Sequence, residues 1–142
     1  MALKYQQRKV REICHAVKER DTIAVKEMAD YFLSLEVIKS GSILIPAPQH
    51  EGIAIYTKSI CEIIAEKTGC RIADVLKSEP REMLYEQKKK GKKEVWFSMK
   101  KEVAGTDLFF VDNVMDTGTT FREANRLLKG RLKPLVYAVV NS

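Results

Sequence analysis

Cysteine is scarce in this chain, and it is not paired. Cys14, Cys61 and Cys70 are three in number with no Cys-x-x-Cys spacing, which excludes a disulfide framework and a cysteine-built zinc site. They read as reduced, semi-buried thiols. Histidine is scarcer still: His15 and His50 lie far apart, without the paired spacing of a metal site. His15, on the apolar face of a helix, is expected to be packed. Long hydrophobic runs are missing too. The stretch Val136 to Val140 falls far short of the roughly 20 residues that a membrane-spanning helix needs. No apolar signal-peptide region follows Met1. A cytoplasmic protein without membrane contact is the expectation. Two phosphate-binding motifs are likewise absent, Gly-x-x-x-x-Gly-Lys-Ser/Thr and Gly-x-Gly-x-x-Gly, so nucleoside triphosphatase and dinucleotide-binding readings fall away.

What remains is a chain of 142 residues, 45% hydrophobic and 31% charged, the makeup of one globular domain over 1–142. Its formal charge of +6 is local in origin. Between Lys77 and Glu102 there are nine Lys or Arg against five Glu, a surplus of four. The block Lys88-Lys89-Lys90-Gly91-Lys92-Lys93 reads either as a solvated surface loop or as a loop that meets a polyanion, diphosphate or nucleic acid. Nucleic-acid binding is the weaker of these. The lysines sit in one loop without the interleaved aromatics of a stacking platform, and Trp96 and Phe97 read as anchors at its end.

Apolar spacing predicts a helix over Lys4 to Lys18, with Val10, Ile13, Cys14 and Val17 on one face. A second helix, capped by Asp21-Thr22, runs to about Leu35 with Ala24, Met28, Ala29, Phe32 and Leu33 apolar. Its Met28–Leu35 stretch is apolar enough to form a homodimer face, although oligomeric state is not readable from the sequence. Ile43-Leu44-Ile45, ended by Pro46-Ala47-Pro48, suits a buried parallel strand entering a loop. A third helix is expected from Ile53 to Lys67, and a second strand over Arg71 to Leu76. Residues 77–106 show no sustained period beyond a short strand at Val95-Trp96-Phe97, and form a long excursion. The remainder reads as a βαβ unit: strand Leu108 to Val111, helix Phe121 to Leu128, strand Leu135 to Val140. The fold class is therefore α/β, an open, mostly parallel sheet flanked by helices. Residues 1–40 would be a helical cap and 77–106 a mobile loop. In such sheets ligands sit at the carboxyl ends of strands.

One such end carries the chemistry. The loop Asp116-Thr117-Gly118-Thr119-Thr120 leads straight into a helix, whose unsatisfied N–H groups and positive dipole end favour an anion. Gly118 allows close approach, and the threonine hydroxyls add donors. A phosphate fits best. An ordinary capped strand-to-helix turn is the bland alternative, since Asp and Thr cap helices well; Asp112, four residues before the loop, argues against it.

The stretch Leu108-Phe-Phe-Val-Asp-Asn-Val-Met-Asp-Thr-Gly-Thr-Thr-Phe-Arg-Glu-Ala resembles the diphosphoribosyl-binding signature of type I phosphoribosyltransferases. Two further stretches, Tyr5 to Lys18 and Ile43 to Pro48, resemble the ComF-type, competence-related members. The resemblance implies that Asp112 and Asn113 face the ribose hydroxyls of 5-phosphoribosyl 1-diphosphate (PRPP). Residues 116–120 would wrap its 5-phosphate, and Ala47, Pro48, Gln49 and His50 would grip diphosphate in the loop up to Glu51. It implies a mobile loop at 77–102 that closes over the reacting centre, with Arg81 and Lys88 as its diphosphate contacts, and Asp116 as a group that handles a proton near the base. Mg2+ would be carried by PRPP rather than by a dedicated protein site. The reaction implied is transfer of phosphoribosyl to or from a nitrogenous base or related amine, with diphosphate as the other product.

Three features depart from that pattern. Asn113 stands where the family has a second acid, which removes a negative charge. Gln49-His50-Glu51 lacks the arginine-rich stretch that follows in ComF-type chains. The end at Ser142 is expected to leave no carboxy-terminal base-binding hood, so the two N-terminal helices would cover the acceptor site. These departures keep a second reading open: a weakly active or inactive module that senses PRPP or a nucleotide and regulates a partner.

Overall fold

A computed structural model of the chain describes residues 2–49, 52–78 and 97–140. Five strands form one sheet in the order β1-β7-β6-β2-β3, and every pairing in it is parallel. They are β1 (Leu3–Lys4), β2 (Ile43–Pro46), β3 (Arg71–Ile72), β6 (Leu108–Met115) and β7 (Leu132–Val139). A separate antiparallel pair is made by β4 (Leu76–Ser78) and β5 (Phe97–Met99). Parallel strands need covered faces. One face is covered by α1 (Arg8–Lys18), α2 (Thr22–Ser34) and α3 (Tyr56–Thr68), whose buried residues cluster with Leu44, Phe109, Val111, Leu135 and Tyr137. The other carries α4 (Thr119–Leu127) and the β4–β5 pair, packed on Ile43, Ile45, Leu108 and Phe110.

Local chemistry accounts for most of these boundaries. In α1, Val10, Cys14 and Val17 are buried at steps of four and three, the spacing of one helical face. The predicted start at Lys4 moves to Arg8 because Leu3 and Lys4 pair instead with Ala138 and Val139 of β7. At α2 the carboxylate of Asp21 accepts from the Ile23 and Ala24 amides, both at 3.0 Å, which closes the helix start. α3 ends at Gly69, whose φ of 77° is left-handed, with its N–H donating to Ala65 O.

Several expectations change. α1 and α2 lie on one face of the sheet, where their buried residues share a core with Leu44, Phe109 and Leu135. In the stretch Met28–Leu35, Met28, Ala29 and Phe32 are fully buried in the core beneath the sheet, while Tyr31, Leu33 and Leu35 are half-buried. His15 is exposed rather than packed, its ring hydrogen-bonded to the Tyr5 hydroxyl at 2.7 Å. The strand expected over Arg71 to Leu76 divides into β3 and the start of β4. β6 continues past Val111 to Met115, so Asp112 and Asn113 are strand residues. β7 begins at Leu132 and includes Pro134, tolerated because β1 covers only Ala138 and Val139 on that side. Of the expected strand Val95-Trp96-Phe97 only Phe97 falls within the described residues. Among them no helix is long and apolar enough to cross a membrane.

The packing separates core from surface on a single helix. Phe32→Ala should destabilise the fold by about 3–5 kcal/mol, whereas Ile23→Ala, at a side chain 70% exposed, should change it by less than about 0.5 kcal/mol. Urea unfolding of the two variants checks both.

Candidate functional site

Strands β2 and β6 lie side by side, yet the chain leaves them in opposite directions. From β2 it runs through α3 on one face to β3; from β6 it runs through α4 on the other face to β7. This is a topological switch point, where loops diverge and leave a crevice beyond the carboxyl ends of the strands. The register deepens it. β2 stops at Pro46, opposite Val111, while β6 runs four residues further.

A small, open cleft lies at the end of β6. Six residues expected to form a site line it: Asp112, Asp116, Thr117, Gly118, Thr119 and Thr120. Phe110 and Phe121 supply an apolar wall, with ring centroids 6.0 Å apart in edge-to-face contact.

The start of α4 is built differently from that of α2. Gly118 occupies the N-cap position with φ 84° and has no side chain to close the first-turn amides. The helix therefore presents its amino end to the cleft without the carboxylate that closes α2. Thr117 and Thr119 share a hydrogen bond between their hydroxyls at 2.8 Å. A Cβ at Gly118 would stand 3.0 Å from Arg122 Nη1.

Arg122 was not among the expected site residues. Its guanidinium folds back over the loop, Nη1 donating to Thr117 O at 3.1 Å and Nη2 to Thr119 Oγ1 at 3.2 Å. A cation thus lies over the loop that lines the cleft. The available signal was its spacing: helical side chains lean toward the amino end, so a residue one turn in from Gly118 can reach the loop.

Asp112 and Asn113 behave unlike one another, as successive strand residues must. Asp112 is half-buried, lines the cleft, and accepts the Asn113 amide at 2.8 Å. Burial pushes its carboxyl up to about 7, against the opposing pull of the Asn113 N–H and of Lys18. Burial likewise pushes the Cys14 thiol up to about 11, with Asp112 adding to the shift, and raises the Tyr56 hydroxyl. Asn113 is buried, does not line the cleft, and its Nδ2 has no hydrogen-bond partner.

The loop after β2 is adjacent but does not line the cleft. Ala47 is buried, Pro48 and Gln49 half-buried, and the amides of Ala47 and Gln49 donate to Val111 O and Ile53 O. His50, Arg81 and Lys88 lie outside the described residues, as does the lysine block. Among the described residues no three His, Cys, Asp or Glu side chains gather as a metal site. Comparison with protein-family models, curated proteins and solved structures gives no match to this chain.

Asp112 carries a pH dependence whose sign follows from its raised value. The folded state holds a proton that the unfolded chain releases near pH 4, so this group's contribution to stability is greatest below that pH. It is lost as the pH rises to about 7. Relative to Asp112→Asn, the wild type should lose stability between about pH 4 and 7 and hold steady above. Denaturant unfolding of both proteins across that range measures it.

Proposed function

We propose that the cleft binds the 5-phosphate end of PRPP and that the chain is a type I phosphoribosyltransferase. It would transfer phosphoribosyl to or from a nitrogenous base or related amine, with diphosphate as the other product. The observation that carries this reading is the pairing of an uncapped helix start with a strand-end carboxylate in one cleft, at the switch point of a parallel sheet. The first-turn amides of α4, the Thr117 and Thr119 hydroxyls and the Arg122 guanidinium offer donors to a phosphate. Asp112, a few residues back along the same wall, offers an acceptor to sugar hydroxyls.

Within this reading the protein works by positioning. The cradle fixes the phosphate, the apolar wall of Phe110 and Phe121 limits water, and Asp112 orients the ribose. Asp116, at the lip of the cleft, is the residue assigned to proton handling near the base. Mg2+ would arrive on the oxygens of PRPP and offset charge on the departing diphosphate. Asp112 is the carboxylate beside the ribose that could meet such an ion. Arg81 and Lys88 remain the proposed diphosphate contacts.

One observation favours a second reading, a regulatory module that binds PRPP or a nucleotide without turning it over. Asn113 is neutral and buried away from the cleft, which leaves Asp112 as the charged member of that pair. Binding would survive this, while stabilisation of a cationic ribose would be weaker.

Calorimetric titration with PRPP and Mg2+, alongside a diphosphate-release screen over free bases, separates the readings. Saturable binding with diphosphate release from at least one base is expected. Binding without release would favour the regulatory module, and absence of binding would sink both. Gly118→Val should weaken binding by about tenfold or more, since a branched side chain is strained at positive φ and would press on Arg122.

A further inference from the structure

Helix α1 buries one side and turns a cationic stripe to solvent. Val10, Cys14 and Val17 face the core, whereas Arg8, Arg11, His15 and Lys18 follow one another at steps of three, four and three and are all exposed. At about 1.5 Å of rise per residue the stripe is roughly 15 Å long. Lys4, exposed on β1, precedes it, and the exposed Arg20 follows it. From Lys4 to Arg20 there are six Lys or Arg against two Glu, a surplus as large as that of the lysine-rich stretch 77–102.

Little of this charge is neutralised nearby. The acids on the helix are Glu12 and Glu19, and Asp112 of β6 comes near enough for Lys18 to favour its ionised form. Glu12 Oε1 accepts from Arg8 Nε at 2.9 Å, in a pair whose side chains are 61% and 85% exposed, so solvent screens it. Among the described residues Lys4, Lys9, Arg11 and Lys18 enter no salt bridge. His15 sets an aromatic ring within the stripe, one turn from Arg11 on one side and from Lys18 on the other. The ring is exposed and held in place by Tyr5, whose hydroxyl meets Nε2 at 2.7 Å and whose own ring packs on the core.

The kind of partner follows from what the stripe lacks. No apolar residue of α1 is exposed: Ile13 and Ala16 are half-buried and the others buried. A lipid surface takes helices that insert apolar side chains, and a protein interface centres on a desolvated apolar or aromatic core depleted in lysine. Nucleic-acid surfaces are instead polar and strongly positive, and single strands are held by cations along the backbone with aromatic rings against the bases.

We infer that the stripe on α1 is a docking surface for a single-stranded nucleic acid, with Arg8, Arg11 and Lys18 on backbone phosphates and His15 stacked on a base. None of these four residues lines the β6 cleft, and the inference does not depend on the phosphoribosyl reading.

Fluorescence anisotropy of the full chain with labelled single strands about 12 nucleotides long tests it, in parallel DNA and RNA forms that tell the two sources apart. Wild type should bind at low salt, with a slope of log affinity against log salt of about −2, as three phosphate contacts require. Arg11→Glu/Lys18→Glu should weaken binding about tenfold or more and flatten that slope. His15→Ala should weaken it about fivefold or more with the slope unchanged, a separation that general loss of structure would not give. Lys67→Glu/Lys129→Glu makes the same change in net charge at exposed residues off α1, and should cost less than about threefold. Arg11→Gln/Lys18→Gln replaces the charge reversal if that variant fails to fold. The inference is overturned if wild type binds neither strand, if binding survives the α1 variants, or if the control variant loses as much. Equal affinity for duplex, or tighter binding of polyglutamate, which would mark an acidic protein as the partner, overturns it as well.

Discussion

Strand β6 is hydrogen-bonded on both sides, and the rest of the molecule is arranged around that fact. Its eight residues pair with β7 along almost their whole length, but with β2 only as far as Val111. The unmatched end, Asp112 to Met115, has no β2 neighbour beside it. A strand end left open this way between two others needs polar residues or a ligand to satisfy it. Here the chain also reverses its winding direction, which sends α3 and α4 to opposite faces and keeps either helix from covering the gap. The cleft is therefore a consequence of register and connectivity together.

The charge pattern around the cleft follows from its depth. Asp112 sits where burial opposes its ionisation, so near neutral pH the strand end carries less than a full negative charge. The amino end of α4 lines the cleft, and Arg122 folds back over its loop. The proposed phosphoribosyl ligand would meet these donors at its phosphate and the poorly ionised carboxyl at its hydroxyls. Beyond the end of β2, the amides of Ala47, Gln49 and Gly52 are hydrogen-bonded within the protein.

Much of this fold is legible in the sequence. Asp21 as a cap, the buried run Ile43 to Ile45 and the β6-α4-β7 unit are local signals, and each appears where the residue types place it. The cleft-lining loop 116–120 is legible as a strand-to-helix turn because residue type carries it: a glycine where φ is positive, and threonines around it. What escaped had no local signature. Two residues, Leu3 and Lys4, are too few to show a period, yet they edge the sheet. Asp112 and Asn113 broke the apolar run and so hid the second half of β6, although hydrogen bonding to β7 continues through them. Pro134 concealed the start of β7, and His15 is exposed with its ring on the Tyr5 hydroxyl. Arg122 acts through contacts made only once the chain has folded.

The proposed seat of the phosphate is the amino end of α4 at this switch point. A two-dimensional amide NMR titration with ribose 5-phosphate probes it residue by residue. The largest shifts should fall on the amides of Thr117 to Phe121, with smaller ones at Asp112 and Asn113, and all should saturate together. Saturable shifts centred elsewhere, or none at these amides, would contradict it.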